Sequence, residues 1–230
     1  MRRLLLPGPP EVHVTLRRSA RARRFSLRVS RTDGQVTLTL PRWAAEAEAL
    51  AFARDKGAWV TEALARMAPP APLGFGATVT FEGRILVLSA APVRAPRIEG
   101  DALLLPPDPA RVGVRLVAFL RLMARQRLQE ACTRHAAALG RPFTRITLRD
   151  TRSRWGSCAA DGRLMFSWRL ILAPPEVLDY VAAHEVAHLA EMNHSPAFWA
   201  VVARLCPGYA APRAWLKQHG QALHAYRFPD

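Results

Sequence analysis

Residues 184 to 194 read His-Glu-Val-Ala-His-Leu-Ala-Glu-Met-Asn-His. On a helix His184 and His188 sit one turn apart, so both imidazoles leave the same face and can reach one metal ion about 2 Å away. Glu185 lies beside that face, where a carboxylate can take a proton from a water that the ion polarises. His194 follows at a distance that lets a reversal of the chain bring in a third nitrogen. Three protein ligands and an open fourth position describe a catalytic zinc site, since a structural one is closed by four. Glu191 shares the face of His188. It can hydrogen-bond a ligand histidine or stay in solvent, while direct ligation is better served by His194.

The flanking residues supply the elements that such a site requires. Pro174-Pro175-Glu176 starts a helix, with proline tolerated in the first turn and an acid near the positive end of the dipole. Val177, Leu178, Val181, Val186 and Leu189 recur at helical spacing and bury one side. Asn193 tolerates the left-handed conformation and is the expected helix stop. Ser195-Pro196 reads as an N-cap and first helical residue, opening a second helix through Phe198, Trp199, Val202 and Leu205. His194 then lies in the corner between two helices.

Composition sets wider bounds. With 230 residues, half of them hydrophobic and 22% charged, the chain can bury a real core. The start, Met1 to Pro7, has too short an apolar run for a signal peptide, and no stretch approaches a membrane span. The expectation is a soluble, cytoplasmic protein. Cys132, Cys158 and Cys206 lack Cys-x-x-Cys spacing and read as reduced thiols. The net charge of +15 invites a nucleic-acid partner, but Lys56 and Lys217 are the only lysines. So lopsided an arginine excess, with many alanines and prolines, is what a GC-rich genome encodes whatever the function. Nine arginines precede Thr32, against one acid, Glu11.

Further elements follow from periodicity and turn residues. Phe25, Leu27 and Val29 alternate with polar residues, as do Val36, Leu38 and Leu40, around Asp33-Gly34, which predicts a β-hairpin. Trp43 to Met67 reads as one amphipathic helix anchored by Leu50, Trp59, Val60 and Leu64. Strands are expected at Thr78–Phe81, Arg84–Leu88 and in a hairpin from Ile98 to Leu105. Pro106-Pro107-Asp108-Pro109 marks the domain boundary, giving a β-rich region with one long helix at 1–107 and a second domain at 108–230. In the latter, a long helix from Val112 to Leu139 ends at Gly140. Strands follow at Phe143–Leu148 and Arg163–Leu172, and a last helix runs from Pro212 to His224. The fold class is α+β.

Ser153-Arg-Trp-Gly-Ser-Cys158, Phe166-Ser-Trp-Arg-Leu-Ile171, Ala173-Pro-Pro175, Tyr180-Val181, the His184–His194 block, Ser195 and Phe198-Trp199 together resemble the YgjP-like metallopeptidase-domain family. These are minimal zincins, similar in outline to SprT-like peptidases. The resemblance extends to the Ser19–Arg24 opening and the Asp33-Gly34 hairpin. It implies a zincin-like domain with His184, His188 and His194 as zinc ligands and Glu185 as catalytic base. It also implies a substrate cleft along Phe166–Arg169. The inter-histidine spacings equal those of metzincins, yet Glu191 stands where those enzymes have glycine, so their topology is not expected.

A zinc-dependent peptidase acting on polypeptides is therefore the first expectation. Tyr180, Tyr209, His219 and the arginines of the Arg152–Arg154 loop are the candidate donors to an oxyanion. A protein that docks on nucleic acid through its N-terminal arginines is the alternative, and a metal-dependent amidase acting on a small molecule would use the same residues.

Overall fold

A computed structural model describes residues 2–6, 12–30, 34–65, 73–226 and 228, which form an α+β protein of two compact units, Met1–Pro70 and Ala71–Asp230. In the first unit, strands β1 (Arg2–Leu6), β2 (Val12–Ser19), β3 (Ser26–Val29) and β4 (Val36–Pro41) make a sheet of order β1-β2-β4-β3. β3 and β4 pair antiparallel with Val29 opposite Val36, so the expected hairpin is present; Asp33 itself lies outside the described residues. β4 alternates between buried and half-buried positions, as a sheet with one covered face requires. Val14, Leu16, Val36, Leu38 and Leu40 share a core with Ala49, Ala53 and Val60.

The single helix expected from Trp43 divides into α1 (Glu46–Asp55) and α2 (Gly57–Ala65), broken at Lys56 and Gly57, where helix-poor glycine follows the C-cap. Ala49 and Ala53 face the sheet in place of Leu50, and Trp59 is exposed. Small residues let α1 lie close to the strands. β2 carries a hydrophobic alternation at Val12, Val14 and Leu16, but it pairs parallel to β4 across a long connection, so no turn signal between them marks it in the sequence. Arg17, Arg18, Arg21, Arg23, Arg24 and Arg28 are exposed, and Arg18 turns back to donate to the carbonyls of Arg42 and Ala44 at 3.0 Å each.

The second unit begins before the expected boundary. β5 (Thr78–Phe81), β6 (Arg84–Ala90), β7 (Arg97–Glu99) and β8 (Ala102–Leu105) form a sheet of order β5-β6-β8-β7. Its Val79, Phe81, Leu86, Leu88, Leu103 and Leu105 belong to the same core as the residues of α3 (Val112–Leu139). The division therefore falls after Pro70 and not after Pro107. The proline cluster at 106–109 is a helix entry: Asp108 accepts a hydrogen bond from the Ala110 amide and caps a 3-10 turn leading into α3.

α3 buries Val112, Leu116, Leu120, Ala124, Leu128 and Cys132, one residue per turn, and stops at Gly140 with φ 73°. A second sheet holds β9 (Arg145–Arg149), β10 (Gly156–Cys158) and β11 (Arg163–Ser167) in the order β10-β11-β9, with β10 at its edge. The strand expected to continue to Leu172 ends at Ser167 and becomes a 3-10 turn over Trp168–Leu172. That turn docks the β5–β6 hairpin, whose Glu82 and Gly83 amides donate to the carbonyls of Ile171 and Leu172. α4 (Pro175–Ala187), α5 (Pro196–Leu205) and α6 (Ala210–His219) follow, then a 3-10 turn over Gly220–His224, so the last expected helix splits in two. Among the described residues no helix is long and apolar enough to cross a membrane.

A buried side chain helps to hold the C-terminal segment. Arg169 pairs with Asp150 through two bonds, at 2.6 and 3.0 Å, and donates to the carbonyls of Leu223 and Tyr226 at 3.1 Å each. Burial works to raise the Asp150 pKa, but the Arg169 hydrogen bonds and charge outweigh it and hold the carboxyl below its ordinary value. A depressed folded-state pKa contributes stability above the ordinary aspartate value of about 3.9, and this is lost as pH falls through the folded value. Arg169→Met is expected to lower unfolding stability by about 3 kcal/mol at neutral pH, read by denaturant titration. Asp150→Asn should flatten the fall of stability below about pH 4.

Candidate metal centre

α4 is buried on nearly every side, from Val177 and Leu178 through Ala182, Ala183, Val186 and Ala187, which fixes the direction of its two histidines. Asp179 ties it to α3 by accepting from His135 at 2.9 Å and from Arg134. The helix ends at Ala187 with His188 as C-cap, one turn earlier than an Asn193 stop requires. The reversal is made by tight turns, with the Leu189 amide on Val186 and the Ala190 and Glu191 amides on Ala187. Asn193 is not among the described residues with positive φ. Its side chain accepts from the Ser195 amide at 3.1 Å instead, leading into α5, where Ser195 caps Phe198 and Pro196 takes the first turn.

This corner brings His184, His188 and His194 together, with one nitrogen from each lying within 4.8 Å of the others. Nε2 of His184 and Nε2 of His194 stand 3.1 Å apart. Two nitrogens bound tetrahedrally at about 2 Å from one ion stand about 3.3 Å apart, so the spacing suits a shared cation. The His188 Nδ1 lies 3.0 Å from the Glu191 carbonyl; as the donor there, it leaves Nε2 free to ligate. It is therefore the backbone of Glu191, and not its carboxylate, that meets a histidine of the cluster. Nδ1 of His184 is buried without a hydrogen-bond partner among the described residues.

Burial, then the like charges of His188 and His194, push His184 down to about 4, and burial lowers His188 as well. Both shifts favour the neutral imidazole, the form that offers a lone pair to a metal. All three rings pack on the fully buried Phe198, at centroid distances of 4.9, 4.5 and 4.8 Å. Phe198 reads in the sequence only as an apolar anchor of α5. Its service to three rings at once depends on the tertiary corner.

Glu185 is 5% exposed, and burial pushes its pKa up to about 8, opposed by the charge of Arg154. A cation among the histidines acts in the same direction as Arg154. The backbone of β10 lies directly against this carboxylate. A Cβ on Gly156 would stand 2.5 Å from Glu185 Oε1 and 2.6 Å from its Cγ, so any larger residue there would force the carboxylate to shift. The approach is braced from behind, since Trp155 stacks on His224 at 4.9 Å and sits against Gly220.

Phe166, Ser167, Trp168 and Arg169 are all buried, so their side chains do not line an open cleft, while β10 lies at the sheet edge against Glu185 of α4. Of the other candidates, Tyr180 meets the His184 ring edge-on at 6.0 Å and stacks with Tyr209 at 6.3 Å. His219 packs on Trp215 at 5.1 Å instead. Burial raises Cys158 to about 11 and Cys132 to about 12, so both thiols stay protonated and are poor nucleophiles.

No curated protein matches the chain. Among solved structures it is similar to the metallopeptidase zymogen of Pyrococcus abyssi abylysin, at 20% identity and a TM-score of 0.37, over 44% of this chain and 99% of that one. The family model described as YgjP-like, metallopeptidase domain, matches residues 23–219, from the N-terminal sheet to the end of α6, and the chain belongs to that family.

Proposed function

We propose that this protein is a zinc-dependent peptidase whose metal is held by His184, His188 and His194 and whose general base is Glu185. The observation that carries the reading is a buried carboxylate on the helix that presents two of three converging histidines. Three nitrogen donors, with no fourth ligand beside them among the described residues, suit a catalytic rather than a structural zinc. Zinc bound there supplies Lewis acidity toward a carbonyl oxygen and draws the pKa of a water toward neutrality. Glu185 takes the proton from the attacking water and returns it to the leaving amine. Gly156 and the wall of α4 hold the carboxylate in place between these two transfers.

Purified protein should carry about one zinc per chain and cleave an unstructured polypeptide such as casein. A chelator should stop the cleavage and added zinc restore it. A metal-free protein, or cleavage indifferent to chelation, would overturn the proposal. The β10 contact gives a second expectation. Gly156→Ala should keep zinc but lower hydrolysis by about 10²-fold, because a base displaced by about 1 Å loses its alignment. Wild-type activity in that variant would mean that the β10 backbone does not position the base.

A further inference from the structure

Beside the histidines lies a cavity of about 540 Å³, walled by Trp155 and Tyr180 on one side and by α6 on the other. Tyr180 touches the His184 ring, and Trp155 precedes the glycine that packs on Glu185, so the cavity borders the reaction centre. Arg213 and Lys217 both line it, four residues apart on α6 and hence on one face. Ala210 and Ala214 leave room in front of them. No acidic side chain lines the cavity among the described residues.

The two cations are free of the pairing that holds several arginines of the same unit. Arg127, Arg134 and Arg169 are paired with Glu82, Asp179 and Asp150. Arg213 and Lys217 have no carboxylate partner among the described residues. Arg213 lies over the Trp199 ring at 4.3 Å, and Trp199 in turn stacks on Tyr209 at 5.4 Å. A guanidinium held over an indole can still offer donors to an anion and loses little freedom when it binds. A positive, aromatic-walled cavity of this size accepts an extended side chain that ends in a carboxylate.

We propose that this cavity is a subsite for a carboxylate of the peptide substrate, bound by Arg213 and Lys217 with Trp155 and Tyr180 as its walls. The subsite rests on the peptidase reading for the identity of its occupant. It makes the enzyme selective for peptides with an acidic residue, or a free C-terminus, near the scissile bond. Arg213 suits the two-point geometry of a carboxylate, and Lys217 adds charge at the same end.

The test is binding to Glu185→Gln protein, which leaves peptides intact, followed through tryptophan fluorescence. Matched peptides carry Glu or Gln at the centre, each with a free or an amidated C-terminus. The Glu peptide, the free C-terminus, or both should bind about tenfold more tightly than the uncharged counterpart, and the pair that differs identifies the source of the carboxylate. Arg213→Ala and Lys217→Ala together should erase the preference. Arg213→Glu with Lys217→Glu should turn it toward lysine peptides. Both side chains are exposed, so these variants keep the fold. Equal or undetectable binding of all four peptides overturns the subsite, as does a preference that survives the double alanine variant. Acid-selective binding without cleavage by the wild type would refute only the peptidase reading, and cleavage without acid selectivity only the subsite.

Discussion

Glu185→Gln is expected to give a folded, zinc-loaded protein whose peptide hydrolysis is lower by about 10²–10⁴-fold, the usual worth of a positioned general base. The amide matches the carboxylate in size, which matters because β10 leaves no spare room beside it. It also suits the site electrically. At 5% exposure the carboxylate is disfavoured by burial, so a neutral replacement relieves desolvation and does not cost the fold. The side chain lies outside the set of three histidines whose nitrogens converge, so zinc content should stay near one per chain. What disappears is the acceptor for the proton of water. Measurement of kcat alongside metal analysis separates the outcomes. Wild-type hydrolysis would remove Glu185 from the chemistry, and lost zinc would make it a support of the site.

The features legible in the sequence are those governed by neighbours along the chain. α3 stops at Gly140 because only glycine is comfortable at φ 73°, and the β5–β6 turn falls at Glu82-Gly83 for a similar reason. Ser195-Pro196 opens α5 because the serine oxygen and the proline ring both suit a first turn. The histidine pair is readable because helical periodicity alone puts the two on one face.

Features that depend on distant residues are not legible in this way. Nothing near Gly156 in the sequence indicates that a carboxylate 29 positions later will press against it. The parallel pairing of β2 with β4 leaves no hairpin signal, and the 3-10 turn at Trp168–Leu172 replaces a strand because its backbone groups serve the β5–β6 tip. Pro106–Pro109 has the composition of a linker and the position of a helix cap. Only the shared core of the β5–β8 sheet and α3 decides between them. The N-terminal arginines divide by the same logic, since Arg18, exposed like its neighbours, is spent on two backbone carbonyls.

Removal of the histidines should have the other large effect. His184→Ala and His188→Ala are expected to abolish zinc binding, and His194→Ala to weaken it strongly. The first two are set by a buried helix and packed on Phe198, so no other donor can replace either in place. His194 is exposed and held by a turn, but its Nε2 lies only 3.1 Å from that of His184. Glu191→Ala should leave affinity nearly unchanged, because the backbone carbonyl that orients His188 survives the substitution. Zinc at about 100 times its dissociation constant stabilises a site of this kind by about 2.7 kcal/mol. A chelator should therefore lower the melting temperature of the wild type and of Glu191→Ala, yet leave those of His184→Ala and His188→Ala where they are. Retained zinc in His194→Ala with lost zinc in Glu191→Ala would exchange the third ligand for the carboxylate. That exchange would require the corner between α4 and α5 to rearrange, since the three nitrogens already converge without Glu191.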